Sequence, residues 1–213
     1  MSFALIEQPQ TQPDLAAVTA AAKALMRGPL ADPGLSRVVV TTLGDTCGDL
    51  FFGAVVARLM IAERLDVEVG YASPISTPAT HRYRLKTGPA GRTIAETAAA
   101  QSLTLIRDDA AMVLVGRARH LGVDGAPLYG EGIVDDERLF DGEVGAVEIE
   151  VAPDFRDVRG RVARRLPGGW RNGRAVQTGG PAIIVEREGI AATRPVKRST
   201  FYKHHEPWKL IRG

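Results

Sequence analysis

The chain has 213 residues, 45% apolar and 24% charged with a formal net charge of +2, which excludes a disordered chain and fits one ordinary domain or two small ones. Cys47 is the single cysteine, so an intrachain disulfide and a thiolate zinc cluster are both excluded. The longest nearly apolar run, 50–62, contains Arg58 and falls short of the ~20 residues of a membrane helix; residues 1–13 lack the basic start of a signal peptide, so a cytoplasmic protein is expected.

Residues 1–13, with three Gln and two Pro, read as a frayed arm. A helix follows from Pro13-Asp14 to about Arg27, with Leu15, Val18, Ala22 and Leu25 at helical spacing and Asp14 as its cap. Gly28 and the stretch 29–34 end it. The β-branched run 37–42 predicts a strand covered on both faces, 49–64 a helix apolar all round, and 66–71 a returning strand. Strand, helix and strand in this order form a right-handed βαβ unit with parallel strands. The helix is either deeply buried or laid against a second subunit, which makes a homodimer plausible.

After a Ser/Thr/Pro loop at 73–80, residues 81–86 predict a short strand and 93–101 an Ala-rich helix. Strands at 103–107 and 112–119 flank Asp108-Asp109, and helix signals then cease. Strand-like runs follow at 145–151, 158–165, 174–177, 182–187 and 196–202, with 208–212 as a last edge strand. The expected fold class is therefore α/β: an N-terminal part containing a parallel βαβ unit (14–110), followed by a β-rich, sandwich-like antiparallel part (111–213) packed on it.

Charge divides similarly. Residues 154–213 hold 14 Lys and Arg against 5 Asp and Glu, and residues 1–153 hold 13 against 20. The stretch 131–150 alone contains eight carboxylates and one arginine, Arg138. Such halves attract each other within or between chains, or the basic half meets phosphates.

The main site candidate is Thr42-Leu43-Gly44-Asp45-Thr46-Cys47-Gly48-Asp49, where a parallel strand gives way to a helix. Ligands of open α/β sheets bind outside the carboxyl ends of strands. Gly44, Thr46 and Gly48 are the ligand-binding candidates here. Asp45 and Asp49, four apart, would serve as base or share a divalent cation such as Mg²⁺; the structural alternative is a capping box of Thr46 with Asp49. Cys47 at the helix start is a candidate nucleophile, but with no nucleophile-elbow motif around it and no His near in sequence a small buried cysteine is the favoured reading. A second loop, Thr87-Gly88-Pro89-Ala90-Gly91-Arg92-Thr93, offers Arg92 as an anion clamp beside Thr93, with Arg82, Arg84 and Lys86 adding positive charge. Thr93 and Glu96 also match a capping box. Asp141, near Asp135-Asp136-Glu137, is a third metal candidate, with a solvated acidic loop as the alternative.

Arg161, Arg164, Arg165, Trp170, Arg171 and Arg174 bracket a predicted hairpin at Pro167-Gly168-Gly169, and cations and rings interleave again from Arg194 to Lys209. Stacking with positive charge suits nucleic acid, whereas alternation of the same residues suits a half-exposed sheet.

Residues 112–151 carry an apolar strand (Val113-Leu114-Val115-Gly116), a turn near Gly122 and Gly125, and Phe140-Asp141-Gly142 before another strand. This pattern resembles the C-terminal β-domain of diacylglycerol-type lipid kinases, relatives of NAD kinases in one superfamily. The resemblance implies an α/β domain followed by a β-sandwich, with metal-linked residues near Asp141-Gly142. The Gly-Gly-Asp-Gly nucleotide loop of those kinases is absent, and Gly145 stands where a second aspartate is expected. The sequence thus points to a protein binding a phosphate- or carboxylate-bearing metabolite, an enzyme or a degenerate relative of lipid and nucleotide kinases. The alternative is a non-catalytic module binding protein or nucleic acid through Arg164, Arg165 and Arg171.

Overall fold

A computed structural model describes residues 2–163 and 169–213. Arg164 and Arg165, with Pro167 and Gly168 of the expected hairpin, lie outside them.

Strands β1 (Ser2–Glu7), β2 (Leu35–Thr41) and β3 (Glu68–Ala72) alternate with helices α1 (Leu15–Leu30) and α2 (Gly48–Ile61), and all three strands are parallel. The βαβ unit read from the sequence is present, and a second precedes it. Residues 2–7, expected in a frayed arm, are instead the edge strand: Ile6 is buried, and each residue from Phe3 to Glu7 pairs along β2. Asp14 caps α1 as expected, its carboxylate accepting from Ala17 N at 2.8 Å. The helix outlasts its expected end at Arg27, carrying Gly28 and Pro29 in its final turn.

Two short helices follow, α3 (Pro78–Tyr83) and α4 (Gly88–Thr97). No strand forms at 81–86: residues 81–83 end α3 and 84–86 are a turn and loop, because Thr77 caps α3 reciprocally with Thr80 while Pro78 takes a first-turn position. Helix α4 starts earlier than the expected 93. Thr93 lies inside it, donating to the Pro89 carbonyl, so the capping box read at Thr93 and Glu96 does not form.

The remaining strands are β4 (Ala100–Leu103), β5 (Ile106–Asp108), β6 (Arg117–Leu121), β7 (Leu128–Val134), β8 (Glu137–Val144), β9 (Ala146–Val151), β10 (Val158–Val162), β11 (Arg171–Gly173), β12 (Ala175–Arg187), β13 (Ile190–Ala191), β14 (Val196–Lys203) and β15 (Trp208–Ile211). The first sheet runs β1-β2-β3-β15-β4. The last strand, expected at an edge, lies inside this sheet, parallel to β3 and antiparallel to β4. The second sheet has ten strands and runs β11-β10-β9-β6-β12-β14-β5, with β13 and β7 also on β12 and β8 on β7. The two runs read at 174–177 and 182–187 are one strand, β12, which pairs with β14 and β7 in its first part and with β6 in its last.

Helices cover both faces of the first sheet. Val38 and Val40 join the main core with α1 and α2, whereas Val39 and Ala72 meet Ala95 of α4 on the opposite face. Helix α2 is buried along nearly its whole length, which accounts for its all-round apolarity within one chain and removes the reason given for a second subunit. Phe52 stacks on Tyr71 of β3 at 4.1 Å between ring centroids and meets Trp208 of β15 at 5.9 Å. Trp208 in turn touches Tyr83 of α3, which stacks on Phe155 after β9. On another side, a β-carbon at Gly53 would lie 2.6 Å from the Val113 carbonyl oxygen, so the helix backbone abuts the segment leading into β6.

Acid residues of the second sheet pair with bases of the same sheet and of α3. Glu148 of β9 accepts from Arg161 of β10 at 2.6 Å, and Glu150 pairs with Arg159 of β10 and Arg82 of α3. Arg159 and Arg161 both lie over the ring of Trp170. The attraction expected between acidic and basic halves therefore operates inside the monomer.

Because Gly53 has no room for a side chain, Gly53→Leu should cost about 1–3 kcal/mol or more through overpacking. Urea denaturation should show a lower midpoint; an unchanged midpoint would contradict this packing.

Candidate functional site

All four parallel strands end at one edge of the first sheet, and the segments leaving β1, β2 and β3 meet there. Gln8, buried just after β1, fastens the β2–α2 loop: its Oε1 accepts from Leu43 N at 3.0 Å and its Nε2 donates to Asp45 Oδ1 at 2.8 Å. The same carboxylate oxygen accepts from Cys47 N at 3.0 Å. Asp45 is exposed, and its Oδ2 bonds to no described residue. With Gln10, Thr11, Gln12 and Leu43 it lines an open cleft of about 510 Å³.

Gly44 adopts a left-handed conformation (φ 77°) and packs on the β3–α3 loop, where a β-carbon would lie 2.9 Å from Pro74 Cγ. That loop also holds the start of α4, since Gly88 N donates to Ser73 O at 2.9 Å. The turns at 43–48 and 88–91 therefore both touch one short loop. Arg92 does not point its charge at an open anion position: it is exposed on α4 and pairs with Glu96 one turn on, at 2.9 Å. Thr93 is likewise on the exposed face of α4.

Asp49 has a different role from the one read for it. The capping box with Thr46 does not form; α2 has no side-chain cap, and Asp45 supplies the local carboxylate contact instead. Asp49 is buried, with Oδ1 accepting from Tyr71 OH at 2.7 Å and Oδ2 from Ala79 N at 2.9 Å. Both oxygens thus anchor β3 and α3, and burial together with this carboxylate pushes the Tyr71 hydroxyl well above its usual pKa. Cys47 is buried, and burial aided by the Asp45 charge raises its thiol pKa, the opposite of what activates a nucleophile.

A buried acid that the sequence reading did not select completes the junction. Glu188 and Gly189 form the two-residue turn between β12 and β13, both with positive φ (50° and 84°). Glu188 Oε1 accepts from Val115 N and Gly116 N, each at 2.9 Å, and Oε2 from Arg117 N at 3.0 Å. A β-carbon at Gly116 would lie 2.4 Å from Glu188 Oε2 and 3.0 Å from Pro78 Cβ, so this turn meets α3 closely. Burial, then the charge of Asp49, pushes the Glu188 pKa up to about 8 against the pull of the three amides. A Glu-Gly pair between two strand-like runs was the available signal.

The remaining candidates lie elsewhere. Asp135 and Asp136 form the turn of the β7–β8 hairpin, not a loose acidic loop, and Asp135 accepts from Arg174 N and Ala175 N. Asp141 lies on β8 within 3.4 Å of Arg138. Among the described residues no group of three or more His, Cys, Asp or Glu is placed to hold a metal ion. Arg171 pairs with Glu137, and no described helix is long and apolar enough to cross a membrane.

No family model matches the sequence, and no curated protein is significantly similar to it. Solved structures are similar in three dimensions. A diacylglycerol kinase from Bacillus anthracis str. Sterne matches with a TM-score of 0.64 and 9% identity, over 99% of this chain and 96% of that one. The chain shares the fold of that structure. An NAD kinase from Archaeoglobus fulgidus in complex with ATP matches with a TM-score of 0.56 and 11% identity, over 100% of this chain and 94% of that one. A yeast NADH kinase complexed with NADH matches with a TM-score of 0.51 and 11% identity, over 99% and 83%. The resemblance read around Asp141-Gly142 is thus borne out at the level of fold.

Glu188 binds its proton more tightly in the folded chain, so its contribution to stability is fully present below about pH 4.5 and is lost as pH rises through about 8. The melting temperature should fall from pH 6 to pH 9. Glu188→Gln, which cannot ionise, should remove part of that fall, on the order of 2 kcal/mol; parallel profiles for the two proteins would refute the assignment.

Proposed function

We propose that the protein binds a phosphate-bearing metabolite at the carboxyl edge of the first sheet, as a reduced relative of lipid and nucleotide kinases. The observation that carries this reading is Asp45, an exposed carboxylate with one uncommitted oxygen, fixed by Gln8 and Cys47 N on the wall of an open cleft. Pre-orientation by two hydrogen bonds lowers the ordering cost of receiving a ligand hydroxyl or a cation accompanying a phosphate. The fold adds support, because similar structures were solved in complex with ATP and with NADH.

In this reading Gly44 and Gly48 keep the loop compact, and Thr46 and the amides of 44–46 are the other groups available to the ligand. Asp49 is a positioning group that ties the loop base to Tyr71 and α3. Asp45 would accept a proton from a ligand hydroxyl or hold a divalent cation such as Mg²⁺ brought in by the ligand.

Calorimetric titration with ATP and with NADH, each with and without Mg²⁺, tests the reading. At least one should bind, and a ligand at a hundred times its Kd should stabilise the fold by about 2.7 kcal/mol. Asp45→Ala should weaken binding about tenfold, which is about 1.4 kcal/mol. Failure of every ligand to bind, or equal affinity in the variant, would overturn it.

A further inference from the structure

A second cavity, which shares no lining residue with the cleft at Asp45, runs along α1 and has a volume of about 540 Å³. One wall is α1 itself, where Leu15, Ala16, Thr19 and Ala20 line the groove between Asp14 and Lys23. At about 1.5 Å per residue that wall is about 13 Å long, the length of an extended chain of about ten carbons. The other wall is Met112 in the turn after β5, with Ala191, Ala192 and Arg194 at and beyond β13.

Both walls are fixed by the fold. Helix α1 packs into the core through Val18, Ala22 and Met26, which leaves its groove side uncovered. Asp108, fully buried, holds the opposite wall: its Oδ1 accepts from Ala110 N at 2.9 Å and Met112 N at 2.8 Å, and its Oδ2 from Arg187 Nε at 2.5 Å. Ala192 N donates to Val185 O at 2.9 Å and ties the segment after β13 to β12. Thr19 Oγ1 lies 4.0 Å from Met112 Sδ, so the two walls meet at this pair. A groove of fixed shape with mainly apolar walls favours a ligand with an apolar body, since water leaves both surfaces on binding. Charge selects the head group. Lys23 and Arg194 are exposed and pair with no carboxylate among the described residues, whereas Asp14 turns Oδ1 to Ala17 N of its own helix. Two cations and one carboxylate leave a single positive charge in excess, which matches a monoanion and leaves a dianion uncompensated.

We propose that this groove binds an apolar monocarboxylate of about ten carbons, its chain against α1 and Met112 and its carboxylate drawn to Lys23 and Arg194, the cations lining the same groove. The site is independent of the phosphate-binding reading at Asp45, and each stands without the other.

The probe is sodium decanoate, kept below its micelle concentration and followed by the methionine methyl resonances of the full chain. The Met112 methyl should shift on titration, while that of Met60, buried in α2 and away from the groove, stays fixed. Lys23→Gln with Arg194→Gln should weaken binding about fivefold, the scale of exposed ion pairs. Ala20→Trp, at an exposed position on the groove wall, should weaken it about tenfold by filling the space. Decanol, with the same chain and no charge, should bind the wild type about fivefold more weakly than decanoate does; this comparison needs no variant and decides the matter even where a substitution unsettles the fold. An unmoved Met112 methyl, undiminished affinity in either variant, or decanol binding as tightly as decanoate would overturn the proposal. So would Met112 and Met60 shifting together, the mark of detergent-like adsorption. A dimer seen by light scattering and dispersed by decanoate would make a second copy of the chain the occupant, and overturns it as well.

Discussion

The contact on which the architecture turns is the aromatic cluster formed when Trp208 slides in beside Phe52 and Tyr83. It joins helix α2 to β15, which lies far from it in sequence, and Phe155 extends it into the antiparallel half. Burying large rings contributes more than their number suggests, since each removes extensive apolar surface from water and offset or edge contacts add to that. Helix α2 sits at the centre of this packing, with the parallel sheet on one side and the Val113 segment on another. Its residues are apolar all round because it has no outer face.

Around that apolar centre lies a polar seam, which sets where the loops stand. Asp49, Tyr71 and the Ala79 amide form one buried set, and Glu188 with three successive amides forms another. An ionised carboxylate is costly to bury unless its oxygens are satisfied, and here every one accepts at least one hydrogen bond. Burial and then the Asp49 charge still raise the cost of ionising Glu188, which keeps it nearer neutrality than an exposed glutamate. Together they fix the strand ends and the adjoining turns, so that Asp45 stands on a rigid base.

Much of the first half was legible because its signals are local. The β-branched run at 37–42 and the apolar helix after it obey simple periodicity, and Asp14 caps α1 by the usual amide contact. Strand β1 was hidden by its brevity and by the Gln- and Pro-rich segment that follows. Helix α3 was misread although Thr77-Pro78 carried a start signal, since two turns leave little room for a periodic pattern. The β7–β8 hairpin was obscured by its own acids, whose partners come from distant strands. Sequence placed Asp45 at a strand-to-helix turn but did not reveal Gln8, which reaches it across 37 positions. Nor did it separate Arg92, spent on Glu96, from Arg84, which is not: Arg92 lies one helical turn from Glu96 on α4, whereas Arg84 stands at the end of α3.

The position of β15 between β3 and β4 also constrains how the molecule is made. During synthesis the parallel sheet has no partner for the inner edge of β3 until residues 208–211 have been made, and β4 has nothing to pair with before then. Closing that gap joins segments separated by most of the polypeptide, a slow and entropically expensive step. The nascent protein is consequently exposed to misassembly for longest along the open edge of β3.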